Sequence, residues 1–114
     1  MDRKDFRMEK IDRRDATGLL SQQVTAARYF FLNLAPRRVE PLALVMGGRE
    51  HCNPDYAIVR RDFPFYVLEY VVSGHGTVKL DGRSHALGPG MVFASVPTTR
   101  CEIHEDPSDP MVKY

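Results

Sequence analysis

Apolar positions are scarce at the start of this chain and then gather into short runs split by turn residues. Residues 1–15, MDRKDFRMEKIDRRD, are mostly charged and offer little to bury, which predicts a frayed or solvated arm. Residues 16–27 admit a short helix with Asp15 as its N-cap, although Gly18 weakens it. From Arg28 the pattern turns to β. RYFFLNL is rich in aromatics, and LALVMGG (residues 42–48) follows after Pro36 and Pro41. YAIVR (56–60) follows the turn-forming NPD, and YVLEYVV (66–72) is next. SGHG separates that run from TVKL (77–80), which reads as a hairpin. Asp81-Gly82 suits a tight hairpin turn because both positions tolerate positive φ. SHAL, the GPG turn (88–90), MVFASV, RCEIH and finally PMVKY complete the series, and Pro97 separates MVFASV from RCEIH. Short strands at roughly 8–12-residue spacing predict an all-β sandwich or barrel. The chain ends at Tyr114 inside what reads as strand: either an edge that something covers, or a piece of a longer protein.

A length of 114 residues supports one core and one domain. The formal net charge of +1 excludes the strong basic excess of a domain that grips nucleic acid by itself. Cys52 and Cys101 form no CxxC pair, so no zinc site is suggested. The charged N-terminus is unlike a signal peptide, and no apolar run is long enough to span a membrane. The expectation is a cytoplasmic protein with two free thiols and no membrane contact.

Residues 63–104 resemble a cupin. VLEYVVSGHG matches the end of that family's first block. DGRSHALGPGMVFASVP matches the second, with its DG, short strand, PG turn, apolar strand and Pro. Within the cupins, REHCNPDYAIVRRDFPFYVLEYVVSGHGTVKLDG is similar to the N-terminal ligand-sensing domain of AraC-type transcriptional regulators. The resemblance implies an all-β double-stranded β-helix, a jelly-roll barrel, over residues 28–114. A charged arm or short helix over residues 1–27 precedes it. The family's later strands and its helix-turn-helix pair lie outside this sequence.

Metal-binding cupins carry a His-x-His pair, a carboxylate and a third His. The matching positions here are Phe63, Phe65, Val67 and Glu102. Apolar side chains cannot ligate a divalent ion, which needs several converging N or O donors. Neither a metal nor any other cofactor is therefore expected.

The same alignment would turn Val67, Glu69 and Val71 into the barrel, because alternate residues of a strand share a face. Glu69 would then be a buried carboxylate needing a ligand or an Arg partner. In the opposite register it faces solvent. In arabinose sensors of this family an Arg before the same strand reaches the sugar, which makes Arg60 and Arg61 ligand candidates. The alternative for either is a surface ion pair with Asp62 or Glu50. Glu102 and His104 share a strand face, and the resemblance places polar residues at this point in the ligand cavity or at its rim. Phe63 and Phe65, with Tyr29 and Phe31, would form an aromatic wall, or plain core. His75 and His51 read as loop residues, and no nucleophile–base constellation is legible.

The sequence thus points to a non-enzymatic, metal-free sensor of a small polar, sugar-like effector. Arg60, Arg61, Phe63, Phe65, Glu69, Glu102 and His104 are the ligand-binding candidates. The expected partners are the effector, a second copy of the chain, and DNA only through a domain not in this sequence. Two other readings remain open: a small metal-free isomerase or lyase using Glu102 and His104 as acid and base, and a dimerisation module that binds nothing small.

Overall fold

The computed structural model describes residues 5–6, 23–32 and 42–114. Ten strands run in the order β1 (Asp5–Phe6), β2 (Val24–Phe31), β3 (Met46–Cys52), β4 (Ala57–Arg60), β5 (Val67–Ser73), β6 (Gly76–Leu80), β7 (Arg83–Leu87), β8 (Val92–Ser95), β9 (Cys101–Glu105) and β10 (Val112–Lys113). They form two antiparallel sheets, β1-β2-β3-β10-β5-β8 and β4-β9-β6-β7. This is the all-β architecture that the run-and-turn pattern predicts. Among the described residues no helix is long and apolar enough to cross a membrane.

Local chemistry sets the connections. Asp81 and Gly82 have φ of 47° and 85° and close the β6–β7 hairpin, a turn that needs both residues left-handed. Gly74, at φ 80°, ends β5 where the chain lies against the entry to β10. A Cβ on Gly74 would stand 2.3 Å from the Pro110 carbonyl oxygen, so only glycine lets the two segments approach. The terminal run is no exposed edge. β10 pairs with β3 on one side and β5 on the other, and Tyr114 exchanges backbone hydrogen bonds with Tyr70.

The core lies between the sheets. Tyr56, Val71, Val78, Cys101, Ile103 and Met111 are its most deeply buried members, contributed by both sheets. Burial of these apolar side chains is the main favourable term in folding. On β5, Glu69 and Val71 face inward, while Leu68, Tyr70 and Val72 face outward. Cys52 and Cys101 are free and buried, and burial pushes both thiols up, away from the reactive thiolate.

The structure departs from the sequence reading in several strands: His51, read as a loop residue, lies within β3. Val24 to Ala27, which fell in the helix reading, belong to β2, where pairing with β3 outweighs a local helical preference. Residues 16–22 of that segment lie outside the described residues, as do residues 1–4 and 7–15 of the charged arm. Asp5 and Phe6 of the arm pair with Phe30 and Tyr29 as a two-residue edge strand.

Candidate functional site

The inner surface of the barrel carries an ionic cluster built from both sheets. β5 supplies Glu69, buried at 5% exposure. Arg60, at the end of β4, reaches it with Nη1 2.9 Å from Oε2. Lys113 of β10, 2% exposed, donates from Nζ to Glu69 Oε1 and lies 3.3 Å from Glu50 Oε2 on β3. Tyr29 of β2 donates its hydroxyl to Glu50 Oε1 at 2.9 Å. Gly48 stands opposite Tyr29, and a Cβ there would come within 2.6 Å of its ring, so glycine makes room for the tyrosine. The Tyr56 ring lies beneath the ammonium, with Lys113 Nζ 5.2 Å from its centroid. The Arg60 guanidinium also lies over Phe63, 5.6 Å from the ring centroid.

Strand alternation explains the arrangement. Glu50, Lys113 and Glu69 all fall on inward positions of adjacent strands: Lys113 stands opposite Glu50 on β3 and opposite Val71 on β5, one inward position from Glu69, so its ammonium reaches both carboxylates. Burial works against the Glu69 carboxylate, but Lys113 and Arg60 outweigh it and hold the carboxyl below the usual glutamate range. Burial likewise opposes charge on Lys113 and Arg60, and the neighbouring Glu69 reverses this and raises both. The Tyr29 and Tyr56 hydroxyls are pushed up mainly by burial and so remain protonated donors. Glu105 of β9 is raised, chiefly by burial, while its Oε2 accepts the Met111 amide at 2.6 Å. Among the described residues Tyr56 Oη and Glu105 Oε1 are buried without a well-formed hydrogen bond, as is Glu50 Oε2 apart from its ionic contact with Lys113. The cluster is thus charge-balanced yet keeps spare hydrogen-bonding capacity.

The sequence-derived candidates separate into two groups. Arg60 and Glu69 come together at the centre of the cluster, and Phe63 and Phe65 meet edge-on beside Arg60 with centroids 5.6 Å apart. Arg61 is exposed. Glu102 and His104 do share a strand face, but it is not the inner one. Cys101 and Ile103 take the inward positions of β9, leaving His104 exposed and Glu102 paired with Arg100 at 2.8 Å. The side chains that sequence reasoning missed are Lys113 and the Tyr56 hydroxyl. A signal existed for Lys113: it lies two residues after Met111 in PMVKY, so the face that buries Met111 must bury the lysine too.

At the family's metal positions the donor set does not fit an ion. Phe63, Phe65 and Val67 offer no lone pair, and Glu102 faces away. Among the described residues no group of three His, Cys, Asp or Glu side chains is placed to hold a metal.

The model of the AraC-like ligand binding domain matches residues 44–114. This chain belongs to that family. Nearly all of the cluster of the AraC-like domain lies in the matched stretch, from Glu50 to Lys113, and β2 adds Tyr29. Solved structures agree on the fold. A cupin 2 conserved barrel domain protein from Salinispora arenicola is 14% identical with a TM-score of 0.55, over 96% of this chain and 86% of that one. A predicted oxalate decarboxylase from Thermotoga maritima is 12% identical with a TM-score of 0.57, over 76% and 75%. A cupin protein from Bacteroides fragilis is 15% identical with a TM-score of 0.51, and the AraC-like domain covers 63% of its length. At such identities the likeness is one of fold, the cupin barrel, and not of activity. Among curated protein sequences none matches significantly.

Proposed function

We propose that this AraC-like domain is the effector sensor of a transcriptional regulator, and that its effector is a small, polar, sugar-like molecule held by the barrel's inner cluster. The observation that carries the reading is Arg60, Glu69 and Lys113 locked in a buried ion network beside the buried Tyr56 hydroxyl. A polyol supplies what such a network can use. Its hydroxyls donate to carboxylate oxygens and accept from tyrosine and arginine, and its ring carbons pack on Phe63. A charge-balanced inner cluster also suits a switch, because a ligand that enters it must exchange with existing contacts and so shifts the balance between two arrangements. In this reading the domain works in the cytoplasm as part of a homodimer, reaches DNA only through a separate domain, and performs no chemistry on its ligand. The residues of the enzyme alternative, Glu102 and His104, stand on the outer face of β9.

Thermal unfolding in the presence of L-arabinose, other pentoses and hexoses, and sugar acids tests this. A ligand present at about 100 times its Kd stabilises the fold by roughly 2.7 kcal/mol. We expect at least one sugar to raise the unfolding midpoint of the wild type and not that of Arg60→Ala. A flat response across the panel, or turnover of any member, would overturn the reading.

A further inference from the structure

We infer that the outer face of the six-stranded sheet is a docking surface for an acidic, amphipathic segment of a partner protein. Five outward side chains form one row across five neighbouring strands. Arg28 on β2 stands directly opposite Arg49 on β3. The Arg49 guanidinium lies over the Tyr114 ring, 6.0 Å from its centroid. Tyr114 is hydrogen-bonded through its backbone to Tyr70 on β5, and Tyr70 stands opposite Val92 on β8. Four inter-strand gaps of roughly 4.8 Å make the row about 19 Å long.

The row is polarised. At one end two arginines face each other across a strand pair, an arrangement that is unfavourable for like charges unless something neutralises it. Neither has a carboxylate partner among the described residues, and with His51 they line a groove of about 390 Å³ that reaches Tyr114. The other end is apolar and open to solvent: Leu68 is 71% exposed and Val92 54%, with Tyr70, Val72 and Val96 around them. Contiguous apolar surface of this kind on a folded domain marks an interaction site.

Charge complementarity selects the occupant. Through this same face, the described residues of a two-fold-related copy would bring arginine or apolar surface against Arg28 and Arg49 rather than a carboxylate. A lipid surface would suit cations spread around the apolar residues, whereas here they stand at one end only. The complementary ligand is elongated, acidic at one end and apolar along the rest. A helix of about 13 residues has that length at about 1.5 Å per residue. Its carboxylates would pair with the two guanidinium forks, and its apolar side would cover Tyr70, Leu68 and Val92.

The test uses two synthetic amphipathic peptides of about 13 residues that share one leucine-alanine face, one carrying three glutamates at one end and the other three lysines. Their binding to the 114-residue chain is followed by fluorescence anisotropy. The expected result is that the glutamate peptide binds about tenfold more tightly than the lysine peptide, and more weakly as salt rises. Arg28→Glu with Arg49→Glu should invert that preference, and Leu68→Asp should weaken both peptides. All three substitutions are at exposed positions, and circular dichroism verifies the fold of each variant. Failure of the glutamate peptide to bind, equal affinity for both peptides, or a preference unchanged by the arginine reversals would overturn the proposal. So would binding of phosphatidylserine vesicles through the same residues, or a dimer in sedimentation velocity that Leu68→Asp dissociates.

Discussion

The two faces of the six-stranded sheet invert the usual distribution of polarity. Inside, the half-buried Glu50 and the buried Lys113 and Glu69 sit in a row of charges. Their immediate chain neighbours Arg49, Tyr114 and Tyr70 form the outer row, which runs on into Val92 and lies beside Leu68 and Val72. One step along each strand separates a buried ion from an exposed cation or apolar group. The contrast shows that burial alone does not sort residues by polarity here. Inside, each of these three ions has a counter-ion, because an unpaired charge in a low-dielectric interior is far costlier than one in water. Outside, the two arginines have no carboxylate partner among the described residues, a cost that solvent screening keeps small, and the apolar side chains are exposed. An apolar residue left out and a charge taken in, on adjacent positions of several strands, are the features on which the two proposed binding surfaces rest.

The sharpest way to break this contrast is Lys113→Met. The substitution keeps the length and removes the charge that serves both Glu69 and Glu50. Arg60 still holds Glu69, but Glu50 loses its cation. Removing one partner of a buried ion pair typically costs about 3–5 kcal/mol. Urea unfolding should show a loss of that size, with the slope unchanged if the denatured state is unaffected. A loss under about 1 kcal/mol, the value of a surface pair, would mean that the cluster is more hydrated than its burial indicates.

Acid should reach the same cluster from the other side. The folded-state pKa of Glu69 lies below its ordinary value of 4.5, because Lys113 and Arg60 together outweigh the cost of burial. A depressed carboxyl contributes stability that is fully present above the ordinary value and is lost as pH falls through the folded one. Glu105, raised by burial, has the opposite sign: its contribution is complete below 4.5 and is lost as pH rises through its folded value. Asp106, lowered by its bonds to Ser108, has the same sign as Glu69 but lies at the surface. Lys113 and Arg60 stay charged throughout this range. The unfolding midpoint should therefore fall as pH drops below 4.5, and fall less steeply in Glu69→Gln, which removes the Glu69 contribution and leaves that of Asp106. Equal slopes for the two proteins would show that Glu69 does not carry the effect.

The fold was legible in the sequence because its signals are local. The DG turn, the Gly74 turn and the short β-type runs between them each constrain one connection or one element, and together they predict an antiparallel sandwich or barrel; the resemblance to cupins adds the jelly-roll barrel. The register of β5 was harder. LEYV is apolar on both sides of Glu69, and alternation alone admits either face. Only the third dimension resolves it, by bringing Arg60 and Lys113 to the carboxylate from other strands. Glu102 and His104 show the reverse case. Their shared parity was correctly read, but the parity that faces the core belongs to Cys101 and Ile103, small and apolar enough to pack at zero exposure. Lys113 was passed over because a lysine near a chain end is ordinarily solvated. Its burial depends on two glutamates more than 40 residues away in sequence.

The smallest expected effect completes the contrast. Leu68 and Glu69 are consecutive on β5, and Leu68 is 71% exposed against 5% for Glu69. Removing an apolar side chain that contacts mostly water forfeits little transfer free energy and leaves no cavity. Leu68→Ser should therefore change the unfolding free energy by less than about 0.5 kcal/mol, as is usual for surface positions. Serine also has a lower strand preference than leucine, but on a half-solvated face that term is only a few tenths of a kcal/mol. Paired with Lys113→Met in the same urea series, the measurement sets an outward side chain of β5 against an inward one of the adjacent β10. A loss of 2 kcal/mol or more at Leu68 would show that the outer face is already covered in the isolated domain, and the docking surface would then have to be sought elsewhere.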